Sequence, residues 1–477
     1  MTSSPPESSS TSSQRLLKPP KGIIGSLIWM GPMLMLLGAA IGSGELLAEP
    51  AAGARHGSSL LWAILFIVVT KAFWNEVIGR VGIVTGQNFL ESCFGAGRLM
   101  TLVPVAWYVV NGIKDFLLRG GITAIAGLIC YDMFGPLPLP AMWLDASGNN
   151  EQLQTISWTL LNYGLIWLLL VAGGYRLAEM LNTVLSLVFT LCLVACAVAV
   201  LPQATGELAR GLVPRIPSGG DELLMLVSLA GIVMSGSTTV YYSAWAEERK
   251  MGLFNFVRGM ALRLTREQAE PESKEEVERM MGWVRVNRLN VIVTYLLGAL
   301  ICLSTFVLGV AVLRPAGVTL TGAKLAPELS LMMTSVAGDW ARPVFYLGAY
   351  AAVVSTAIGI LDGGSRMYIQ PLRARFPNVS IPVCQRVIMT VMVVGCWSVY
   401  VLVPDALKLV IWMGAIDAPL VGILFLAYAY LGKRYLPQVY RYGTAWTVAM
   451  ALTGILYFGL GVFFVVHRIM EFMGTGV

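Results

Sequence analysis

Gly42-Ser43-Gly44-Glu45 stands near the far end of a run from Ile23 to Leu47 that is otherwise almost wholly apolar. Two glycines loosen a helix, and a carboxylate follows them at membrane depth, where an ionisable group is costly and marks a functional site by default. Backbone groups freed at that depth are tolerated only where they line a cavity. A second such place is Met234-Ser235-Gly236-Ser237-Thr238-Thr239, a cluster of small and hydroxyl residues in the middle of another apolar run. Serine and threonine hydroxyls can bond the backbone groups that a broken turn releases. Two kinds of chemistry fit. Carboxylate, thioether and carbonyl oxygens would hold a cation, whereas the freed N–H groups of a half-helix would cradle an anion.

The substrate-binding candidates are therefore Gly42, Ser43, Gly44, Glu45, Met234, Ser235, Gly236, Ser237, Thr238 and Asp417. Asp417 lies mid-run, just before Ala418-Pro419, where proline disturbs a helix. Glu45 and Met234 are the metal-ligand candidates, although a methionine in an apolar chain packs as readily as it ligates. Candidates for coupling or gating are Glu49, Asp115, Arg119, Tyr241 and Asp362. Glu49 is one turn beyond Glu45 and shares its helical face. Charges in hydrocarbon are expected to pair. Lys71 with Glu76 and Lys114 with Asp115 could neutralise one another, and Arg119 shares a face with Asp115 at i+4.

Other chemistries have little to work with. The seven cysteines form no CxxC pair and read as small core hydrophobes. The only histidines, His56 and His467, fall near the ends of apolar runs, which argues against a histidine metal site. There is no Gly-rich phosphate loop, no legible nucleophile–base pair and no cofactor motif, so an enzyme is not expected.

The elements that must position these residues follow from composition. The chain is 56% hydrophobic and 13% charged, which places it among polytopic helical membrane proteins. About eleven apolar runs are long enough to span a bilayer. They lie near 23–54, 59–83, 99–131, 155–173, 178–201, 222–246, 289–313, 341–363, 381–403, 406–431 and 443–467. Residues 1–21 read as a disordered cytoplasmic tail. Lysine and arginine favour a cytoplasmic N-terminus, and an odd span count puts the C-terminus outside. The charged segment 247–288 is expected to be a solvated cytoplasmic connector. The +6 net charge follows loop placement and does not imply nucleic acid. Breaks in spans one and six, five spans apart, suggest two inverted five-helix repeats, 22–201 and 202–431, followed by a last helix in 432–477.

Two stretches carry a family resemblance. Ala52-Gly53-Ala54-Arg55-His56-Gly57-Ser58-Ser59-Leu60-Leu61-Trp62 resembles the junction of the first two helices of Nramp metal transporters. Arg80-Val81-Gly82-Ile83-Val84-Thr85-Gly86-Gln87 is similar to the end of that family's second helix, and Ser355-Thr356 to a stretch of its eighth. The resemblance implies a LeuT-type fold and secondary transport in a bacterial-type inner membrane. The family's first break reads Asp-Pro-Gly-Asn and its sixth Met-Pro-His-Asn. Here those places hold Gly42-Ser43-Gly44-Glu45 and Met234-Ser235-Gly236-Ser237. In the third span, Asn111, Lys114, Asp115 and Arg119 stand where the family places acidic groups.

The expected function is alternating-access transport of a divalent metal ion through an altered site, with H+ and Na+ both open as coupling ions. The rival cargo is a small carboxylate, amino acid or other anion at the Gly-Ser-Gly break, with Lys114 or Arg119 assisting. A sensor or scaffold that does not transport is the third reading. The partners expected are a small ion or anionic solute and the lipid bilayer.

Overall fold

A computed structural model describes residues 16–42, 44–140, 150–217, 219–254, 273–318, 320, 324–376 and 378–472. The described residues are helical throughout, joined by short turns. Side chains left on the outside are mostly apolar and recur at helical spacing. Phe66, Val69 and Phe73 do so on one helix, Leu102, Val105 and Val109 on another, and Val387, Val391 and Val394 on a third. Stripes of this kind need lipid to cover them. The interior holds the opposite, with Glu45, Glu49, Lys71, Asn111, Lys114, Asp115, Arg119 and Asp417 all buried. The chain is an integral membrane protein with its polar groups turned inward.

Nine stretches among the described residues are long and apolar enough to cross a bilayer. One of these, Gly31–Thr85, contains the second of the eleven spans read from sequence, 59–83, and most of the first, 23–54, whose opening residues form a separate short helix, Gly22–Leu27. Another span, over 102–134, is divided by a π-helical turn, Lys114–Leu118, between helices Leu102–Ile113 and Gly120–Phe134. The two runs near 155–173 and 178–201 fall in one continuous helical element, Glu151–Gly211, which holds the apolar stretches Glu151–Ala172 and Thr190–Gly211. That element passes Pro202, so residue 201 is not an element end. One proline removes a single ladder bond, and the good helix formers around it carry the helix on.

Local signals fix several helix ends. Asn88 and Glu91 form a reciprocal capping box at the start of Phe89–Gly95, each bond 3.1 Å. Asp405 caps Ala406–Tyr430 through the Lys408 N–H at 3.0 Å. Ser273 caps Lys274–Leu308, so the latter part of the expected connector 247–288 is the first turns of a long spanning helix. The charged residues Arg263, Arg266, Glu267 and Glu270 of that connector lie outside the described residues, as does Ser43.

We label the helices that build the site in chain order. These are α1 (Gly31–Ile41), α2 (Glu49–His56), α3 (Leu61–Thr85), α4 (Leu102–Ile113), α5 (Gly220–Ile232), α6 (Tyr241–Glu248), α7 (Lys274–Leu308), α8 (Ala341–Arg375) and α9 (Ala406–Tyr430). The segment between α1 and α2 and the segment between α5 and α6 lie against each other inside the bundle. α9 packs along α5, and α8 packs along α1.

Candidate ion-binding site at the two helix breaks

The first break begins where α1 ends at Gly42. The chain resumes as a π-helical turn, Gly44–Ala48, before α2. Gly42 is not needed for an unusual dihedral, since its φ is −77°, and Gly44 has no positive φ either. Both are needed for close approach. A Cβ on Gly42 would stand 2.7 Å from Thr356 Oγ1 and 3.0 Å from the Val353 backbone on α8. A Cβ on Gly44 would stand 3.3 Å from the Val233 backbone in the other break. The N–H of Gly42 donates to Thr356 Oγ1 at 2.8 Å, and that hydroxyl donates to Gly38 O at 2.6 Å. The hydroxyl of α8 thus repairs the end of α1.

The second break has a reversed hand. Met234 (φ 53°), Ser235 (φ 75°) and Gly236 (φ 52°) follow one another in the left-handed region. Such conformations cost about 1–3 kcal/mol each outside glycine and persist where the surroundings over-determine them. Here the surroundings do so. Met234 N–H donates to Glu45 Oε1 at 3.0 Å, Ser235 Oγ to Leu36 O at 2.9 Å, and Ser237 N–H to Asp417 Oδ2 at 2.9 Å. Gly236 combines positive φ with a lack of room, since a Cβ there would collide with Gly231 O and Asp417 Oδ2. Gly236→Ala should therefore destabilise the protein by about 3 kcal/mol or more. The check is a denaturation series in detergent, where a melting temperature equal to wild type would refute it.

Four groups of polar and charged side chains surround the breaks. Asp417 on α9 receives Lys114 Nζ at 2.7 Å, together with the N–H and hydroxyl of Ser237. Lys114 also reaches Ser237 Oγ at 2.9 Å and Asn111 Oδ1 at 3.3 Å. Asp115 receives Arg119 Nε at 2.5 Å and the hydroxyls of Tyr241 and Tyr368. Arg119 also donates to Thr238 Oγ1 at 2.9 Å. Lys71 on α3 donates to Val233 O at 2.5 Å and Gly231 O at 3.3 Å.

Two of the pairings expected from sequence are therefore replaced. Glu76 pairs with Arg80 at 2.7 Å instead of Lys71, and Lys114 pairs with Asp417 instead of Asp115. Residues five apart on a helix, or adjacent on it, point to different sides, so Glu76 pairs one turn along its own helix with Arg80 and Lys114 pairs across the bundle with Asp417. Asp362 lies apart from this centre, bonded by Trp245 Nε1 and Arg366 Nε, each at 2.9 Å.

The fourth group has no counter-ion in contact among the described residues. Glu45, Glu49 and Cys302 place one donor atom each within 4.8 Å of one another, and all three are buried. Glu49 Oε2 accepts from Thr305 Oγ1 at 2.9 Å. The other two oxygens, Glu45 Oε2 and Glu49 Oε1, have no hydrogen-bond partner among the described residues. A buried, unpartnered carboxylate oxygen is costly, and a cation is the natural complement. Glu45 reaches Met234 through its backbone N–H, while the Met234 thioether packs over Gly298 on α7. Two residues beside the breaks, Cys302 here and Lys71 at the α5 carbonyls, have only structural readings in the sequence. Cys302 sits in an apolar run that reads as core, 257 residues from Glu45, so no spacing signal links the two.

An all-helical membrane bundle in which two broken helices meet at an interior polar site has the LeuT-type architecture. Solved structures bear this out at the level of fold. The Eremococcus coleocola manganese transporter in complex with an aromatic bis-isothiourea substituted compound aligns with a TM-score of 0.68 at 14% identity, covering 98% of this chain and 92% of that one. MhsT in complex with L-phenylalanine aligns at 0.56 and 12% identity, covering 92% and 98%.

A profile of the family "Natural resistance-associated macrophage protein-like" (Nramp) matches residues 33–467, and the chain belongs to that family. Relatives are distant. "Divalent metal cation transporter MntH" of Verminephrobacter eiseniae is 26% identical over 229 residues, 47% of each chain. The chain thus spans about half the length of that relative. The protein of the same name from Chromohalobacter salexigens is 24% identical over 371 residues, 76% of this chain and 74% of its own.

Proposed function

We propose that this protein is a secondary transporter that moves a divalent metal ion by alternating access, with Glu45, Glu49 and Cys302 as its ligands. The observation that carries this reading is the pair of unpartnered carboxylate oxygens beside a thiol, buried where the two broken helices touch. Relatives named as divalent metal cation transporters support it. Glu45 also joins the two breaks, since it belongs to one and accepts the Met234 N–H of the other. A cation drawn to Glu45 would therefore bias the contact between the segments that must move.

The donor set departs from the metal ligands expected from sequence. Glu45 stays, while the Met234 thioether is turned to α7 and Asp417 is engaged by Lys114. An anionic cargo is less well supported. The Gly42 N–H is taken by Thr356, and Lys114 and Arg119 each hold a carboxylate.

Uptake of Mn2+, Zn2+, Cd2+ and Mg2+ into proteoliposomes tests the reading, and absence of flux for all four would sink it and favour a sensor. The thiol also makes a specific prediction. Thiolate ligands favour soft and borderline metals over hard ones. Cys302→Ser should weaken Cd2+ binding about 10-fold, roughly 1.4 kcal/mol, and leave Mg2+ binding unchanged. Calorimetric titration with both ions checks it, and equal effects on the two would remove Cys302 from the ligand set.

A further inference from the structure

Lys71 is fully buried, and its ammonium group is directed at main-chain oxygens, Val233 O at 2.5 Å and Gly231 O at 3.3 Å. Both carbonyls belong to the broken end of α5, whose last oxygens lack the N–H groups that a continuing helix would supply. The end of a helix also carries partial negative charge, so these oxygens form a cation site. In broken-helix transporters, carbonyls of this kind coordinate dissolved monovalent cations. The charged groups acting on Lys71 are Asp417, Glu45 and Lys114. Among the described residues, no carboxylate forms an ion pair with Lys71, whereas Lys114 has Asp417 at 2.7 Å.

We infer that the carbonyl end of α5 is a monovalent-cation site permanently filled by the Lys71 ammonium, so that the sixth-helix break is held in shape without a dissolved monovalent ion. The lysine is covalently delivered and avoids the cost of capture from solution. Its role is separate from that of Glu45, Glu49 and Cys302, which face the proposed divalent cargo. The inference does not depend on that cargo being correct.

The experiment uses the full-length protein in detergent, with melting temperature as the readout. Wild type should melt at the same temperature in choline, sodium, ammonium and methylammonium chloride at equal ionic strength. Lys71→Ala should melt lower in choline. Methylammonium, ammonium or sodium should then raise it by about 2 °C or more, as expected for a ligand that binds only the folded state. A Lys71→Ala protein that gains nothing from any of the three cations overturns the inference, as does one shifted no more than wild type. If that variant yields no folded protein, Lys71→Arg and Lys71→Met decide. Recovery of the arginine variant alone supports a required cation. A methionine variant as stable as wild type overturns it. Because no divalent ion enters the measurement, absence of metal transport would leave this result standing and remove only the proposed cargo.

Discussion

Glu45→Gln should lower divalent-cation affinity by about 100-fold, a loss of roughly 2.7 kcal/mol, while leaving the fold intact. The substitution keeps an oxygen that can accept the Met234 N–H now bonded to Glu45 Oε1 at 3.0 Å. It removes the negative charge and replaces the unpartnered Oε2 with a donor, which repels a cation where the acid attracts one. Glu49→Gln should cost a similar amount, because Glu49 is placed alike: one oxygen accepts the Thr305 hydroxyl at 2.9 Å and the other has no partner among the described residues. The double variant should bind no divalent ion measurably. Calorimetric titration of purified protein with Mn2+ and Cd2+ is the measurement, accompanied by melting curves to show that the variants fold. Unchanged affinity in Glu45→Gln would remove Glu45 from the site, and an equal melting temperature would make that conclusion clean.

The places where the helices break were legible because each carries a local conflict with an apolar helix. Gly42 and Gly44 remove side chains from a run that should pack, and Ser235-Gly236-Ser237-Thr238 puts hydroxyls at membrane depth. Asp417 stood out by the same logic. What could not be read was the direction in which each side chain points. Lys71 and Glu76 lie close together on one helix, yet one reaches Val233 and the other Arg80. Thr356 repairs the end of α1 from 314 residues away. Left-handed backbone at Met234 and Ser235 had no sequence signal either, because neither residue favours it. It arises from contacts that Glu45, Leu36 and Asp417 supply after the helices have packed. Cys302 was read as core for the same reason. Its apolar surroundings are real, and only the rotation of α7 brings its sulfur beside two carboxylates.

Breaking the Lys114–Asp417 pair should cost about 3–5 kcal/mol from either side, because each partner is 1% exposed and leaves the other as an unpaired buried charge. The two halves are not equivalent. Lys114→Met leaves Asp417 still accepting the N–H of Ser237 at 2.9 Å and its hydroxyl. Asp417→Asn leaves Lys114 without its counter-ion beside Ser237 Oγ and Asn111 Oδ1, and whichever way the new amide turns, its N–H groups face either the Ser237 N–H or the Lys114 ammonium. Asp417→Asn should therefore be the worse of the two. The double variant, Lys114→Met with Asp417→Asn, should recover much of the loss, since replacing both members of a buried pair is often close to neutral. A double-mutant cycle built from denaturation curves gives the coupling directly, with an expected value of about 2 kcal/mol or more. A coupling below about 0.5 kcal/mol would mean that the two residues act independently. The cycle also bears on the shape of the second break. Asp417 is what holds Ser237 after three residues of left-handed backbone. If the pair contributes stability through that segment, Asp417→Asn should also change divalent binding at Glu45, whose own bond is to Met234 at the start of the same turn. Lys114→Met, which keeps the Ser237 bonds, should change it much less.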